Sequence, residues 1–438
     1  MITKLNFTDR TIKSYAIRKL TPKECFRLMG VRDNVIGTMQ SSNAQAAERL
    51  PDWKGKGNPE DMAISASQQY KQAGNSIVVD VLAHIYEQLF YPAPPKPRPG
   101  EQLSLFDDLE DTLPALPPTA ANKNEEKIFL TTFSGYDSQL MAADVLREWH
   151  PDFRWTCKGW SDIDKYACQM HNLVFPQFAD CALGDITKID WHEVKSSLEG
   201  REVDLFTYSS PCQDISQAGK QMGLQEGSDT RSALLWRVAD AVEVLRPKYL
   251  LQENVAALVS QKFMPDFQKW LDKLSSLGYV SRWARLNAKN YGVPQNRDRV
   301  FCLSMRRDVA FDYQFPEPFE LLTRLEDVLE EEVSDRYFLK DDAVSKFLKA
   351  NDSDNALFVQ FDLPPTHEAA MFLKTVLQIE MERHDGWEKG IEWIERELSY
   401  SIGYLYEKFK ENPKKMDVEY WRGFYKIFKE NMERKKDS

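Results

Sequence analysis

Between residues 127 and 305 the chain alternates short β-branched and aromatic runs with longer helical stretches. The strand-like runs are Lys127–Phe133, Arg154–Trp160, Val203–Tyr208, Lys248–Gln252, Ser281–Leu286 and Arg299–Met305. Helical patterning fills the gaps, notably over Gln139–Trp149, Arg231–Leu245 and Pro265–Leu277. Strand and helix in alternation predict a mostly parallel sheet covered by helices on both faces. With 42% hydrophobic and 12% aromatic residues, the chain has material for such a core. Its 438 residues suggest two or three globular units, and no internal repeat is evident.

The run from Tyr91 to Glu126 breaks the pattern. It holds eight prolines and an acidic patch, and it reads as a disordered linker, since such a composition cannot pack a core. Before it lies a segment, 1–90, with a helix opened by Thr21-Pro22-Lys23-Glu24. There Thr21 is a fitting N-cap, Pro22 suits the first turn, and Glu24 completes a capping box. A polar stretch over 31–69 and a helix from Ser76 to Phe90 follow. Beyond the strands, 309–365 carries no readable motif, and 317–355 within it is strongly acidic. From 366 to 438 helices rich in aromatics predominate, and that spacing suits a helical core better than a base-stacking surface.

The net charge of −11 argues against a protein that coats nucleic acid without specificity. Charge is nevertheless segregated. Residues 1–32 carry eight Lys/Arg against Asp9 and Glu24, and 282–307 carry seven against Asp298, so two basic islands sit on an acidic chain. The six cysteines (Cys25, Cys157, Cys168, Cys181, Cys212, Cys302) form no CxxC pair, which disfavours a zinc ribbon or a disulfide framework. No apolar run approaches the roughly 18 residues a membrane span needs. No secretory signal opens the sequence. A cytoplasmic protein is the expectation.

In an open α/β sheet, ligands sit beyond the carboxyl ends of the strands. After the first strand comes the tight turn Phe133-Ser134-Gly135-Tyr136-Asp137-Ser138. Ser161-Asp162-Ile163-Asp164 follows the second, and Gly184-Asp185-Ile186-Thr187 offers a further carboxylate. A glycine turn with acidic residues beyond it is the generic layout of a nucleoside-cofactor site. The run Ser209-Ser210-Pro211-Cys212-Gln213 puts a cysteine at a strand end beside a glycine-bearing loop, placed for attack. The next strand ends in Gln252-Glu253-Asn254-Val255. In Gln295-Asn296-Arg297-Asp298-Arg299 two arginines on alternate positions share one face.

These runs resemble the catalytic core of DNA (cytosine-5) methyltransferases. Pro211-Cys212-Gln213, Glu253-Asn254-Val255 and Gln295-x-Arg297-x-Arg299 occur in the family's order. Arg18-Lys19-Leu20-Thr21-Pro22-Lys23-Glu24 and Gln72-Ala73-Gly74-Asn75-Ser76 resemble the two motifs that normally close the chain, yet here they open it. The resemblance therefore implies a circular permutation of a bacterial or phage enzyme of restriction-modification type. The fold it implies is an α/β, Rossmann-like mixed sheet of the S-adenosylmethionine-dependent methyltransferases with helices on both faces. Segment 1–90 would complete a catalytic core at 127–308 across the 91–126 join. A partial target-recognition region at 309–365 and a helical extension at 366–438 would follow.

The family's chemistry gives each residue a role. Cytosine C5 is a poor nucleophile until a thiolate adds to C6. The resemblance makes Cys212 that nucleophile, with Glu253 holding N3, Arg299 the base carbonyl and Arg297 steadying the closed site. The cytosine would leave the duplex stack, with the 213–231 loop closing over it. S-adenosyl-L-methionine would lie against Phe133 and Gly135 at its methionine end, Asp162 and Ile163 at the ribose, and Asp185 and Ile186 at the adenine. Asn75 and Ser76 complete that pocket, and no metal is implied. The family usually has a second glycine where Asp137 stands; Asp tolerates positive φ better than most residues, so this departure bears on cofactor affinity. A tRNA cytosine-5 methyltransferase of the same fold is the enzymatic alternative. Intact Cys212, Glu253, Arg297 and Arg299 argue against a non-catalytic DNA-binding relic.

Double-stranded DNA is the implied partner of a monomeric enzyme. Within the linker, Gln102-Leu103-Ser104-Leu105-Phe106 resembles the peptide by which bacterial polymerases and repair proteins dock on the replication sliding clamp. A polar anchor, a leucine and a Leu-Phe pair on a flexible chain suit an apolar cleft. Trp53-Lys54-Gly55-Lys56-Gly57 reads as a surface turn, with contact to a DNA groove as the alternative.

Overall fold

The structure, a computed structural model, describes residues 2–6, 11–15, 17–92, 113–114, 125–210, 231–339 and 356–360, with 372 and 376. Cys212, most of its loop, the Gln102–Phe106 peptide and nearly all of the 366–438 extension lie outside them. The chain divides into two compact units, one of Met1–Thr21 with Glu330–Ser438 and one of Pro22–Leu329.

In the first unit, β1 (Ile2–Asn6) pairs antiparallel with β2 (Thr11–Tyr15) on one side and with the strand Ala356–Gln360 on the other. Lys19 N–H donates to the Tyr337 carbonyl at 2.9 Å, and Leu339 N–H to that of Ile17 at 2.8 Å. Residues 1–21 are thus grouped with the C-terminal part of the chain and not with 22–90.

The second unit opens with α1 (Pro22–Arg27), α2 (Asp33–Met39), α3 (Asn43–Arg49), α4 (Ala66–Asn75) and α5 (Val79–Phe90). Helices α2 and α3 fall inside the stretch that composition marks only as polar. A reciprocal cap explains α3: the Ser42 hydroxyl accepts from Gln45 N–H while Ser42 N–H donates to the Gln45 side chain. The turn Trp53–Gly57 is tied down from within. Asn43 donates to the carbonyls of Lys56 and Asn58 and accepts from the Trp53 indole, and a side chain at Gly55 would collide with the Asn43 amide and the Trp53 indole nitrogen.

Strand and helix then alternate as the sequence predicts. The order is β3 (Lys127–Thr132), α6 (Ser138–Trp149), β4 (Trp155–Ser161), α7 (Lys165–Val174), α8 (Trp191–Ser197), β5 (Leu205–Tyr208), α9 (Arg237–Leu245), β6 (Tyr249–Val255), α10 (Met264–Ser276), β7 (Tyr279–Asn287) and β8 (Asp298–Arg306). The six strands make one mixed sheet, ordered β4-β3-β5-β6-β8-β7. Its first four are parallel; β8 and β7 are antiparallel additions at the end.

Period two along the strands sorts the core into two layers. Phe129, Leu205, Tyr249, Leu251, Phe301 and Leu303 pack with α5, α6 and buried residues of α1 and α2. Ile128, Leu130, Phe206, Leu250, Val300 and Cys302 pack with α8, α9 and α10 on the other face. Helix α5 is deeply set in the first layer: Val79, Val81, Leu82, Ala83, Ile85, Tyr86 and Leu89 are all buried. The Tyr313 hydroxyl donates to the Ile85 carbonyl at 3.2 Å.

Between these elements, Leu113 packs partly buried against the first core layer, and the Pro114 carbonyl accepts from Asp312 N–H at 2.8 Å. These two residues of the 91–126 run are docked on the unit.

Because α5 shares its core with the sheet, Ile85→Ala should cost about 2–5 kcal/mol. Hydrogen exchange should show protection falling in β3, β5 and α5 together. A loss confined to α5 amides would contradict a common core.

Candidate active site

The carboxyl ends of β3, β4, β5 and β6 lie side by side in the sheet, so the turns that follow them converge. After β3 the backbone enters positive φ three times in five residues, at Phe133 (53°), Gly135 (58°) and Asp137 (68°). The turn is held to the end of β4. Gly135 N–H donates to Asp162 Oδ2 at 2.8 Å, and Ser134 N–H to the Ser161 carbonyl at 3.1 Å. Asp162 Oδ1 accepts from Asp164 N–H at 2.8 Å. Burial raises the Asp162 carboxyl above the ordinary carboxylate range, opposed by those two amide bonds.

A third turn joins them. The Ser161 hydroxyl donates to the Gly184 carbonyl at 2.6 Å, placing Asp185 and Ile186 beside Asp162. Asp185 Oδ1 accepts from the amide and hydroxyl of Thr187, which hold its carboxyl below the usual range. Ile186 is buried, whereas Ile163 is 75% exposed between the two acidic turns. A Cβ built on Gly135 or Gly184 meets nothing within 4 Å. Glycine turns facing open space, two carboxylates and an exposed apolar side chain fit a nucleoside bearing a charged tail.

The end of α4 closes the same region. Ser76 Oγ donates to Ser138 Oγ at 3.2 Å, and Asn75 is exposed. Lys71 and Gln72, on the preceding turn of α4, reach Asp164, which also caps α7 through the amides of Tyr166 and Ala167. Lys71 does not stand out in the sequence, since it reads as a surface charge, whereas Asp164 belongs to the acidic turn after the second strand.

On the core face shared with α5, Glu253 projects from β6 and Arg299 from β8. Arg299 Nε lies 3.0 Å from Glu253 Oε1, and Glu253 is 11% exposed. Burial pushes the Glu253 carboxyl up, and the charges of Arg299 and Arg297 restrain that rise. Arg297 turns toward α4: its Nη2 donates to the carbonyls of Gly74 at 3.0 Å and Ser76 at 2.6 Å. Arg297 immediately precedes β8, and the two arginines take different partners. One meets a carboxylate and the other meets backbone.

Asn254 points to the opposite face, donating through Nδ2 to the Ser210 carbonyl at 3.3 Å and accepting from Val255 N–H. It therefore fixes the backbone two residues before Cys212, which itself lies outside the described residues. The other five cysteines are buried or half-buried, and burial raises every one of their thiols, those of Cys168 and Cys302 to about 12. Among the described residues no His, Cys, Asp and Glu cluster could hold a metal. No described helix is long and apolar enough to cross a membrane.

A family model for C-5 cytosine-specific DNA methylase matches residues 2–91 and 147–421. The chain is 46% identical over 162 residues to the Type II methyltransferase M2.ScrFI of Lactococcus lactis subsp. cremoris, 37% of this chain and 43% of that protein. It is 47% identical over 108 residues to the orphan methyltransferase M.SssI of Spiroplasma monobiae, 24% of this chain and 28% of that protein. The matched part spans less than half the length of either relative. Among solved structures, the S. pombe Dnmt2 methyltransferase is similar with a TM-score of 0.39 at 18% identity, covering 52% of this chain and 67% of that one.

The Glu253–Arg299 contact carries a direct consequence. Replacing Arg299 with Met removes a charge and a hydrogen bond that both hold the Glu253 carboxyl down. A carboxyl titration followed by 13C NMR should therefore move further up. An unchanged or lower value would contradict the pairing.

Proposed function

The chain belongs to the C-5 cytosine-specific DNA methylase family, and from that premise we propose that it methylates C5 of a cytosine in double-stranded DNA through a covalent adduct to Cys212. The observation that carries this reading is the buried Glu253–Arg299 pair, set on the face that also receives Arg297 and the end of α4.

Each residue then has a task its surroundings suit. Burial raises the Glu253 carboxyl, which favours its protonated form, the form that would donate to N3 of the base as charge builds there. Arg299 fixes that carboxyl and presents its remaining N–H groups to the base carbonyl. Cys212 is the nucleophile; the raised thiols of the other cysteines favour it by default, since only a thiolate attacks well. S-adenosyl-L-methionine, when bound, supplies the electrophilic methyl group. Phe133 and Gly135 would hold its methionine end, Asp162 and Ile163 the ribose, Asp185 and Ile186 the adenine, with Asn75 and Ser76 closing the pocket.

A circular permutation accounts for the chain order. It is supported by the end of α4 meeting the β3–α6 turn through Ser76 and Ser138, and β8 through Arg297. Residues 91–126 would then be the join, at ends that lie close in the folded unit.

The test is a covalent trap. DNA carrying 5-fluorocytosine at the target, found by bisulfite sequencing of DNA from expressing cells, should form a denaturant-resistant adduct when S-adenosylmethionine is present. Cys212→Ala should form none. An equal adduct from the alanine variant would remove Cys212 from the mechanism, and unmodified DNA in the bisulfite reads would remove the activity.

A further inference from the structure

Asp137 sits where backbone geometry favours glycine, at φ 68° and ψ 57°, and its side chain is 0% exposed. Both features cost free energy, since a non-glycine residue is strained there and a carboxylate loses its hydration. Its contacts show what offsets that cost. Oδ1 accepts from Leu140 N–H at 3.2 Å, capping α6, and Oδ2 accepts from the Thr131 hydroxyl at 2.7 Å. His171 Nε2, from α7, lies 3.4 Å from the same Oδ2, is also 0% exposed, and makes no hydrogen bond to the described residues. The imidazole is stacked on Trp160, with ring centroids 3.8 Å apart, so it is not free to turn away.

The contacts continue. Thr131 Oγ1 is 2.8 Å from Ser134 Oγ. Ser134 Oγ donates to the Ser161 carbonyl at 3.1 Å and accepts from Ser161 N–H at 3.2 Å. Ser161 in turn holds Gly184 through its hydroxyl at 2.6 Å. One buried polar chain thus runs from His171 through Asp137, Thr131, Ser134 and Ser161 to Gly184. It passes beneath the three turns that present Phe133 and Gly135, Asp162 and Ile163, and Asp185 and Ile186.

We propose that Asp137 is a positioning residue for the cofactor site, its carboxylate locking these three turns into one register with His171 as its buried partner. This rests on the reading that the turns hold S-adenosylmethionine. Buried polar contacts rigidify a site, and the one acceptor group here that faces the amide, the hydroxyl and the imidazole together is the carboxylate.

Calorimetric titration of the full chain with S-adenosylmethionine tests it, alongside kcat measured at saturating cofactor. Asp137→Gly removes the strain and all three contacts; its Kd should rise about tenfold or more, with kcat falling far less. Asp137→Asn keeps the shape and one of the two acceptor oxygens, so it should recover part of the affinity, and His171→Phe should weaken binding in the same direction. Hydrogen exchange should quicken at Gly135, Ile163 and Ile186 together in Asp137→Gly. A glycine variant that folds and binds as tightly as the wild type overturns the proposal and leaves the cofactor reading intact. Equal losses in Asp137→Gly and Asp137→Asn, with no change in exchange outside residues 133–140, overturn it in favour of a local helix cap. A wild-type chain that binds no S-adenosylmethionine overturns the cofactor reading itself and this proposal with it.

Discussion

Arg297 donates to the carbonyls of Gly74 and Ser76, and with those bonds a segment that precedes the linker meets the strand that carries Arg299. The two bonds come from a cationic donor and go to carbonyls at the frayed end of α4, where the helix leaves acceptors unused. They join the end of α4, where we place the cofactor, to the Glu253–Arg299 side, where we place the base. Lys71 on Asp164, Gln295 on the Leu28 carbonyl and Tyr313 on the Ile85 carbonyl repeat the arrangement around the same unit. Shared apolar burial along α5 supplies most of the cohesion, and these polar contacts supply the register.

That division of labour explains how the site can be built from turns. A turn following a parallel strand has few packing contacts of its own, so its geometry must be imposed from beneath. Here the imposing groups are short hydroxyls, a carboxylate and an imidazole in direct contact. On the base side the same need is met by charge, with Glu253 and Arg299 restraining one another in a largely buried position. A pair of this kind contributes little net stability once desolvation is counted, which points to function as the reason for its presence.

Much of this was legible in the sequence. The six strands and most of their helices followed from period two and from turn residues at the strand ends. Strand direction was not legible, because the run Arg299–Met305 looks the same whether parallel or antiparallel; pairing with β6 and β7 decides it. Helices α2 and α3 were hidden by their polar composition, with only the Ser42 and Gln45 cap as a signal. His171 sits between Met170 and Leu173 in a half-apolar helix and reads as core. The partners of Arg297 are main-chain carbonyls, which leave no trace in residue type. Cys212, though plain in sequence, lies outside the described residues, so its role rests on motif and on the surroundings of its neighbours.

The central claim is that residues on either side of the linker make one site, and Arg297 is where that claim is most exposed. Calorimetric titration of S-adenosylmethionine into full-length wild type and Arg297→Ala, with folding checked by circular dichroism, measures it directly. Loss of two charge-assisted bonds to the end of α4 should raise Kd about tenfold or more while the fold persists. An unchanged Kd in a folded Arg297→Ala protein would contradict the account, because the end of α4 would then reach the cofactor without being held by β8.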